Sequence, residues 1–401
     1  MADRLYLDNA ATSFPKPPRV TEAMVRYAAE IGASPGRGGY REAQQGSAIL
    51  VQCRAAIARL IHAGDPDQIA FALNTSDALN LAIKGLVLHR RRLDPDARIH
   101  LVTTAMDHNS VLRPFNALAA FAPGQIRWTC VPVDADGVAS PHDIAAAMTS
   151  DTLLVAVVHA SNATGSIQPI AGIGRLCRAA GVPLLVDAAQ SLGHLPVDVE
   201  QDAIDLLAFP GHKGLLGPLG TGGLWIHPGL EERIDPLREG GTGTISESDV
   251  HPTAMPAKFE PGSHNTIGIA GLLEGVRWLL DRGVDDVRNH EIALIERMIA
   301  GLRDLPGVRL LGPADPARRV GVFALIFEGQ DPHAVADRLE REFGLLVRAG
   351  IHCAPRAHGA MGTLDDGGAV RLSIGQFTTE ADVDRALAAI AAIAADHLAP
   401  A

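Results

Sequence analysis

Leu153-Leu154-Val155-Ala156-Val157-Val158-His159-Ala160-Ser161-Asn162 and, further on, Pro183-Leu184-Leu185-Val186-Asp187-Ala188-Ala189-Gln190 carry the same message. Each is an apolar run of strand length that ends abruptly in polar residues. Between them, Ile170–Ala180 has the apolar spacing of a helix and is followed by Gly181. A strand that is apolar throughout must be covered on both faces, and a helix between two such strands is the usual connection in a parallel sheet. Working outward, strand-like runs recur at Ile69–Leu73, Ile99–Thr104, Arg127–Val133, Leu206–Phe209 and Gly222–Ile226. Helix-like segments lie among them at Asp77–Leu88, Ser110–Phe121 and Pro141–Met148, with polar residues at their starts and Gly or Pro after them. The pattern predicts an α/β fold with a mainly parallel, seven-stranded sheet.

Past residue 250 the texture changes. Helices are expected at Ile267–Arg282, Asp286–Leu302, Pro332–Glu342 and Thr379–Ala394, with strands near Val308–Leu311, Val320–Phe327 and Ala369–Ile374. That reads as a smaller α+β domain. The division expected is a large domain over 16–250 and a small domain built from 1–15 and 251–401.

Composition narrows the function. The chain has 401 residues, 47% of them apolar and 20% charged, enough for sizeable cores and two domains. The formal charge of −11 gains nothing from a phosphate backbone, and the basic run His89-Arg90-Arg91-Arg92 reads as a solvated helix end, so nucleic acid is not an expected partner. The first residues lack the apolar core of a signal peptide, and no apolar run reaches a membrane span. Cys53, Cys130, Cys177 and Cys353 are too scattered for a zinc site or a disulfide framework, so no metal is expected. Reduced thiols in a cytoplasm are the expectation. The first three lie in apolar surroundings and read as small core residues.

The chemistry is expected at the strand ends, where an open α/β sheet binds its ligands. Asn74-Thr75-Ser76-Asp77 follows the first strand and opens a helix, so its free N–H groups and hydroxyls suit a phosphate, although an ordinary helix cap has the same composition. Asp107, His108 and Asn109 follow the second, Ser161 and Asn162 the fourth. Asp187 ends an apolar strand, and a buried carboxylate needs a cationic or proton-donating partner; as a plain helix cap it needs none. Phe209-Pro210-Gly211-His212-Lys213-Gly214 puts a lysine after a strand between glycines. There it is either a surface turn residue or a desolvated amine able to form an imine. Five successive loops supplying a carboxylate, a lysine, two histidines, hydroxyls and amides form one constellation.

These motifs resemble the class V aminotransferase family of fold-type I pyridoxal-phosphate enzymes, and within it the cysteine desulfurase and selenocysteine lyase branch. The resemblance runs from Tyr6-Leu7-Asp8-Asn9-Ala10-Ala11-Thr12 to Val370-Arg371-Leu372-Ser373. It implies pyridoxal 5′-phosphate as cofactor, carried by Lys213 as an imine, with Asp187 as partner of the ring nitrogen. It further implies Gln190 on the ring hydroxyl oxygen, His108 stacked on the ring and shuttling protons, and Thr75, Ser76 and His212 on the phosphate. Asn162 is placed near the ring hydroxyl and the substrate carboxylate, and Arg371 on that carboxylate as a two-pronged donor. A loop like Gly240-Gly241-Thr242-Gly243 reaches the neighbouring subunit's phosphate in such relatives, which implies a homodimer with Thr242 in a shared site.

Arg348-Ala349-Gly350-Ile351-His352-Cys353-Ala354-Pro355 resembles the catalytic-cysteine loop of that branch. By itself it shows a loop thiol with His352, Arg348 and Arg356 nearby, and positive neighbours favour thiolate. The short connection from Cys353 to Arg371 favours the group II type. Two departures stand out: Pro210 replaces a serine common in group II, leaving Thr242 or Ser76 to supply the hydroxyl, and Tyr40 replaces a histidine near the substrate. The function expected is conversion of L-cysteine to L-alanine with a persulfide on Cys353, its sulfur passed to an acceptor such as a sulfur-acceptor protein. The alternatives are a selenocysteine lyase, a class V lyase or epimerase acting on another amino acid, and a non-catalytic cofactor-binding sulfur carrier.

Overall fold

The computed structural model describes residues 4–36, 38–243 and 247–398. Its first strand, β1 (Leu5–Tyr6), is followed by α1 (Pro18–Arg26) and α2 (Arg41–Leu60). Strands and helices then alternate: β2 (Ile69–Ala72), α3 (Thr75–Leu93), β3 (Ile99–Thr104), α4 (Asn109–Phe121), β4 (Ile126–Val131) and α5 (Pro141–Ala147). β5 (Thr152–Val158), α6 (Ile170–Ala180), β6 (Leu184–Asp187), β7 (Leu206–Pro210) and β8 (Gly222–Ile226) complete the series. These seven strands form one sheet in the order β2-β8-β7-β6-β5-β3-β4. Neighbours are parallel except at β8, which runs antiparallel to both β2 and β7. Successive side chains therefore enter cores on opposite faces: Val155, Val157 and Val186 on one, Leu154, Ala156 and Leu185 on the other. That two-sided burial is why these strands read as unbroken apolar runs.

The rest of the chain contributes α7 (Thr266–Arg282), α8 (Val284–Leu302), β9 (Val308–Leu310), β10 (Val322–Phe327), α9 (Pro332–Phe343) and β11 (Leu345–Leu346). It closes with β12 (Arg348–Gly350), α10 (Pro355–Ala360), β13 (Ala369–Ser373) and α11 (Glu380–Leu398). Here an antiparallel sheet, β12-β13-β10-β9, is packed against α8, α9 and α11 around Ile295, Phe323, Leu339, Leu372 and Ile390. We retain 16–250 against 1–15 plus 251–401 as a proposed division. Ile269, Leu272 and Val276 of α7 nonetheless lie in the core under the large sheet.

The N-terminal segment laces these parts together. β1 pairs in parallel with β11, and the Ala10 N–H donates to Ser373 Oγ at 2.9 Å. The His212 carbonyl then accepts from the Ser13 N–H at 3.0 Å, Thr12 Oγ1 at 3.1 Å and Lys16 Nζ at 2.9 Å.

Helix α2 has no counterpart in the sequence reading. Its N-cap, Tyr40, makes no side-chain capping bond, so no polar signal marks its start. Its role is at the sheet edge. Arg54 donates through Nε to the Ile69 carbonyl at 3.0 Å and pairs with the Glu260 carboxylate, which also accepts from the Phe71 N–H at 2.6 Å. The pair thus occupies backbone groups of β2 that no strand pairs. Both side chains are buried, so removing the carboxylate leaves an uncompensated guanidinium. Glu260→Ala is expected to destabilise the fold by about 3–5 kcal/mol, read as a lower urea midpoint; an unchanged midpoint would show that the edge is held by other means.

Candidate active site

β7 is parallel to β6, and β2, antiparallel to β8, shares their direction. The loops leaving the carboxyl ends of β2, β3, β5, β6 and β7 therefore open on one edge of the sheet. They enclose a cavity of about 230 Å³ lined by Thr75, Ser76, His108, Asn162, Asp187, Gln190, His212 and Lys213. Eight of the site residues expected from the sequence meet there.

At one side is the start of α3. Asn74 caps it by accepting from the Asp77 N–H at 3.0 Å, and Asp77 accepts from the Leu73 N–H at 3.1 Å. The Thr75 and Ser76 N–H groups are left without an intrahelical acceptor. Ser76 Oγ lies 2.6 Å from Ser110 Oγ.

His108 caps α4. Its Nδ1 accepts from the Ser110 N–H at 3.0 Å, so the hydrogen-bond pattern assigns the ring proton to Nε2. Burial, reinforced by Lys213 and nearby arginines, pushes it down to about 4, and the ring is neutral at pH 7. Behind it, fully buried Asp107 accepts from the Thr104 N–H at 2.8 Å and the Val158 N–H at 2.6 Å. It therefore ties together the ends of β3 and β5, from which His108 and Asn162 project.

Asp187 is 3% exposed and accepts from the Ala189 N–H at 3.0 Å. Burial raises it to about 6, against the opposing pull of that N–H and Lys213. Lys213 is held in a turn that needs Gly214, where a Cβ would come within 2.2 Å of the Leu192 carbonyl oxygen. Burial lowers Lys213 to about 8; Asp187 favours its ammonium, whereas Arg371 and Arg348 oppose it. Gln190 donates to the Ala10 carbonyl at 2.8 Å. The His212 ring is pushed down to about 4 by burial, and its Nδ1 has no partner.

Arg371 and Cys353 approach from the antiparallel sheet. Arg371, 1% exposed, donates to the Asn162 carbonyl at 3.2 Å and to Asp8 Oδ1 at 2.6 Å, and its Nε has no partner. Cys353 is exposed in the loop between β12 and α10, and its carbonyl accepts from the Asn109 N–H at 2.9 Å. Asn162 donates to the His352 carbonyl at 2.6 Å, leaving its Oδ1 buried and unpaired. Arg356 stacks on Trp128, 4.7 Å from the ring centroid. Thr242, half-buried, lies outside the lining of the cavity in its own chain, and Tyr40 is exposed.

The sequence reading set Asp107 and Asn109 beside His108 at a strand end and quoted Asp8 in a motif, but gave none of the three a site-building role. Their partners come from distant elements. The donor set fits pyridoxal phosphate. Asp187 offers a desolvated carboxylate to a cationic ring nitrogen, the α3 start and His212 offer donors to a phosphate, and Asn162 Oδ1 and His212 Nδ1 are polar atoms lacking partners in the protein.

A family model for aminotransferase class-V matches residues 5–386. A protein of Methanothermobacter thermautotrophicus named "probable cysteine desulfurase" is 35% identical over 96% of this chain and 93% of its own. A Yersinia pseudotuberculosis protein named cysteine desulfurase is 30% identical over 96% and 92%. Among solved structures, the apo cysteine desulfurase of Thermococcus onnurineus superposes with a TM-score of 0.90 at 32% identity, covering 98% of this chain and 95% of that one. The fold is that of fold-type I pyridoxal-phosphate enzymes, as the motifs implied. By the extent of the family match and of these likenesses, the chain belongs to the class-V aminotransferases.

Proposed function

We propose that this protein is a cysteine desulfurase that moves sulfur from L-cysteine to Cys353 and releases L-alanine. The observation that carries the reading is the mooring of the Cys353 loop: its carbonyls are bonded by Asn109, next to His108, and by Asn162, in the cavity wall. An exposed thiol is thereby fixed beside the cavity that holds Lys213.

Pyridoxal phosphate, when bound, supplies an electron sink for the pair of electrons left when the substrate Cα–H bond breaks. Asp187 would hold its ring nitrogen protonated, Gln190 its hydroxyl oxygen, and Thr75, Ser76 and His212 its phosphate. Arg371 binds the substrate carboxylate with its planar fork, a role in which Asp8 is its resident counter-ion. Lys213, its amine lowered to about 8, takes the Cα proton at Nζ. His108, neutral and protonated on Nε2, carries protons. Cys353 Sγ, as thiolate, attacks the substrate sulfur; the S–S bond forms as the Cβ–S bond breaks, and the electron pair stays on the carbon skeleton. Protons complete alanine, so L-cysteine and the Cys353 thiol become L-alanine and a Cys353 persulfide, with sulfur oxidised and Cβ reduced. The outer sulfur then passes to an acceptor thiol.

We extend the reading to a cytoplasmic homodimer, with Thr242 serving the neighbouring subunit's phosphate. Its support is the position of Thr242, half-buried in a loop outside the lining of its own cavity. Among the described residues no helix is long and apolar enough to cross a membrane.

With L-cysteine and a reducing thiol, the wild-type holoenzyme is expected to form alanine and sulfide in equal amounts. Cys353→Ser should lose both, and Lys213→Ala should lose about 100- to 10,000-fold in rate. Equal alanine from Cys353→Ser would sink the nucleophile assignment, and turnover of selenocysteine alone would make the protein a lyase for that substrate. In cofactor-free protein, the rate at which Lys213 captures added pyridoxal phosphate should rise with pH through a midpoint near 8, where the amine deprotonates. Asp187→Asn removes the carboxylate that favours the ammonium, so it should move that midpoint down; an upward shift would contradict the pairing.

A further inference from the structure

His352 and Cys353 have φ values of 53° and 57°. Two successive non-glycine residues in the left-handed region persist only where their surroundings enforce it. One side of the enforcement is already described: Asn162 holds the His352 carbonyl and Asn109 that of Cys353. The other side is the His352 ring itself, which is buried while its neighbour Cys353 is exposed.

That ring is not simply packed. Its Nδ1 lies 3.4 Å from His358 Nε2, and His358 Nδ1 lies 2.8 Å from Thr363 Oγ1. The Thr363 hydroxyl also lies 3.4 Å from the His358 carbonyl. His352 Nε2 is buried and without a hydrogen-bond partner. His358 and Thr363 are as buried as His352. Burial also keeps both rings neutral: His358 is lowered to about 4 and His352 to about 2, the latter with Arg371 and Arg348 adding to the effect. A leucine would fill the same space without leaving a buried nitrogen unpaired. What an imidazole adds is a directed bond that fixes ring rotation, and with it the turn.

We propose that the buried His352–His358–Thr363 chain is the mount that positions Cys353, with His352 as the positioning residue and Asn162 as its link to the cofactor cavity. The consequence for turnover rests on the desulfurase reading; the position of the thiol does not.

The test uses the holoenzyme with His358→Phe, which keeps a ring but removes its nitrogens, and Thr363→Val, which removes the hydroxyl at nearly constant shape. Thr363→Ser restores the hydroxyl. Three quantities are read: kcat and KM for alanine formation, the visible band of the bound cofactor, and the rate at which iodoacetamide alkylates Cys353, followed by peptide mass spectrometry. A displaced thiol is expected to lower kcat by up to about a hundredfold, with KM and the cofactor band unchanged. Alkylation of Cys353 should change in rate in His358→Phe and Thr363→Val and return toward wild type in Thr363→Ser. Wild-type kcat and alkylation in Thr363→Val, or an equal loss in Thr363→Val and Thr363→Ser, would overturn the proposal. Should His358→Phe fail to fold, the Thr363 pair decides. A wild-type enzyme that makes no alanine from cysteine would defeat the desulfurase reading instead, and alkylation would still decide the mount.

Discussion

Burying the Asp187 carboxylate at the end of β6, the middle strand of seven, sets the terms for everything around it. A carboxylate there is almost wholly removed from water and has one backbone N–H on its oxygens, which is why it is pushed up to about 6. A desolvated anion is tolerable only where cationic character is close by. Lys213 supplies part of it, and its own loss of solvent leaves an amine that gives up its proton near 8. Each group is perturbed by the same burial in the direction that suits covalent capture of an aldehyde beside a cationic ring. The neutral rings of His108 and His212 follow from that burial too, since neither adds a charge the cavity would have to solvate.

A second constraint comes from the antiparallel sheet. Arg371 is buried, and its charge is balanced by Asp8 across the junction of two sequence-distant segments. The same arginine donates to the Asn162 carbonyl, and the Asn162 side chain donates to the carbonyl of His352. Carboxylate recognition, the cavity wall and the nucleophile loop are thus joined by consecutive hydrogen bonds, so that a displacement at one is felt at the others.

Much of this was legible in the chain. The seven strands of the large sheet stand within one or two residues of their expected places, because two-sided burial writes an unmistakable apolar run. Eight site residues were readable because each lies just beyond such a run. What was not legible has a common cause. Helix α2 lacks a capping residue, and Arg54 meets Glu260 only after more than half the chain has folded between them. Asn162 and His352 are likewise far apart, and nothing in Ser161-Asn162-Ala163 announces a carbonyl contributed by the other sheet. His358 and Thr363 look like ordinary turn residues until their rings and hydroxyls are seen to be buried. Periodicity reports which face a residue occupies; it is silent on the partner brought to that face.

The lacing of residues 5–16 has a consequence for how the protein comes into being. A ribosome releases β1 and Ala10 more than 300 residues before their partners, β11 and Ser373. The strands of the large sheet and α7, which completes its core, all precede β11 and Ser373 in the chain. The site is therefore closed only after residues 345–373 have emerged, and a chain cut before them holds every lysine, carboxylate and histidine of the cavity without the closure that makes them a site.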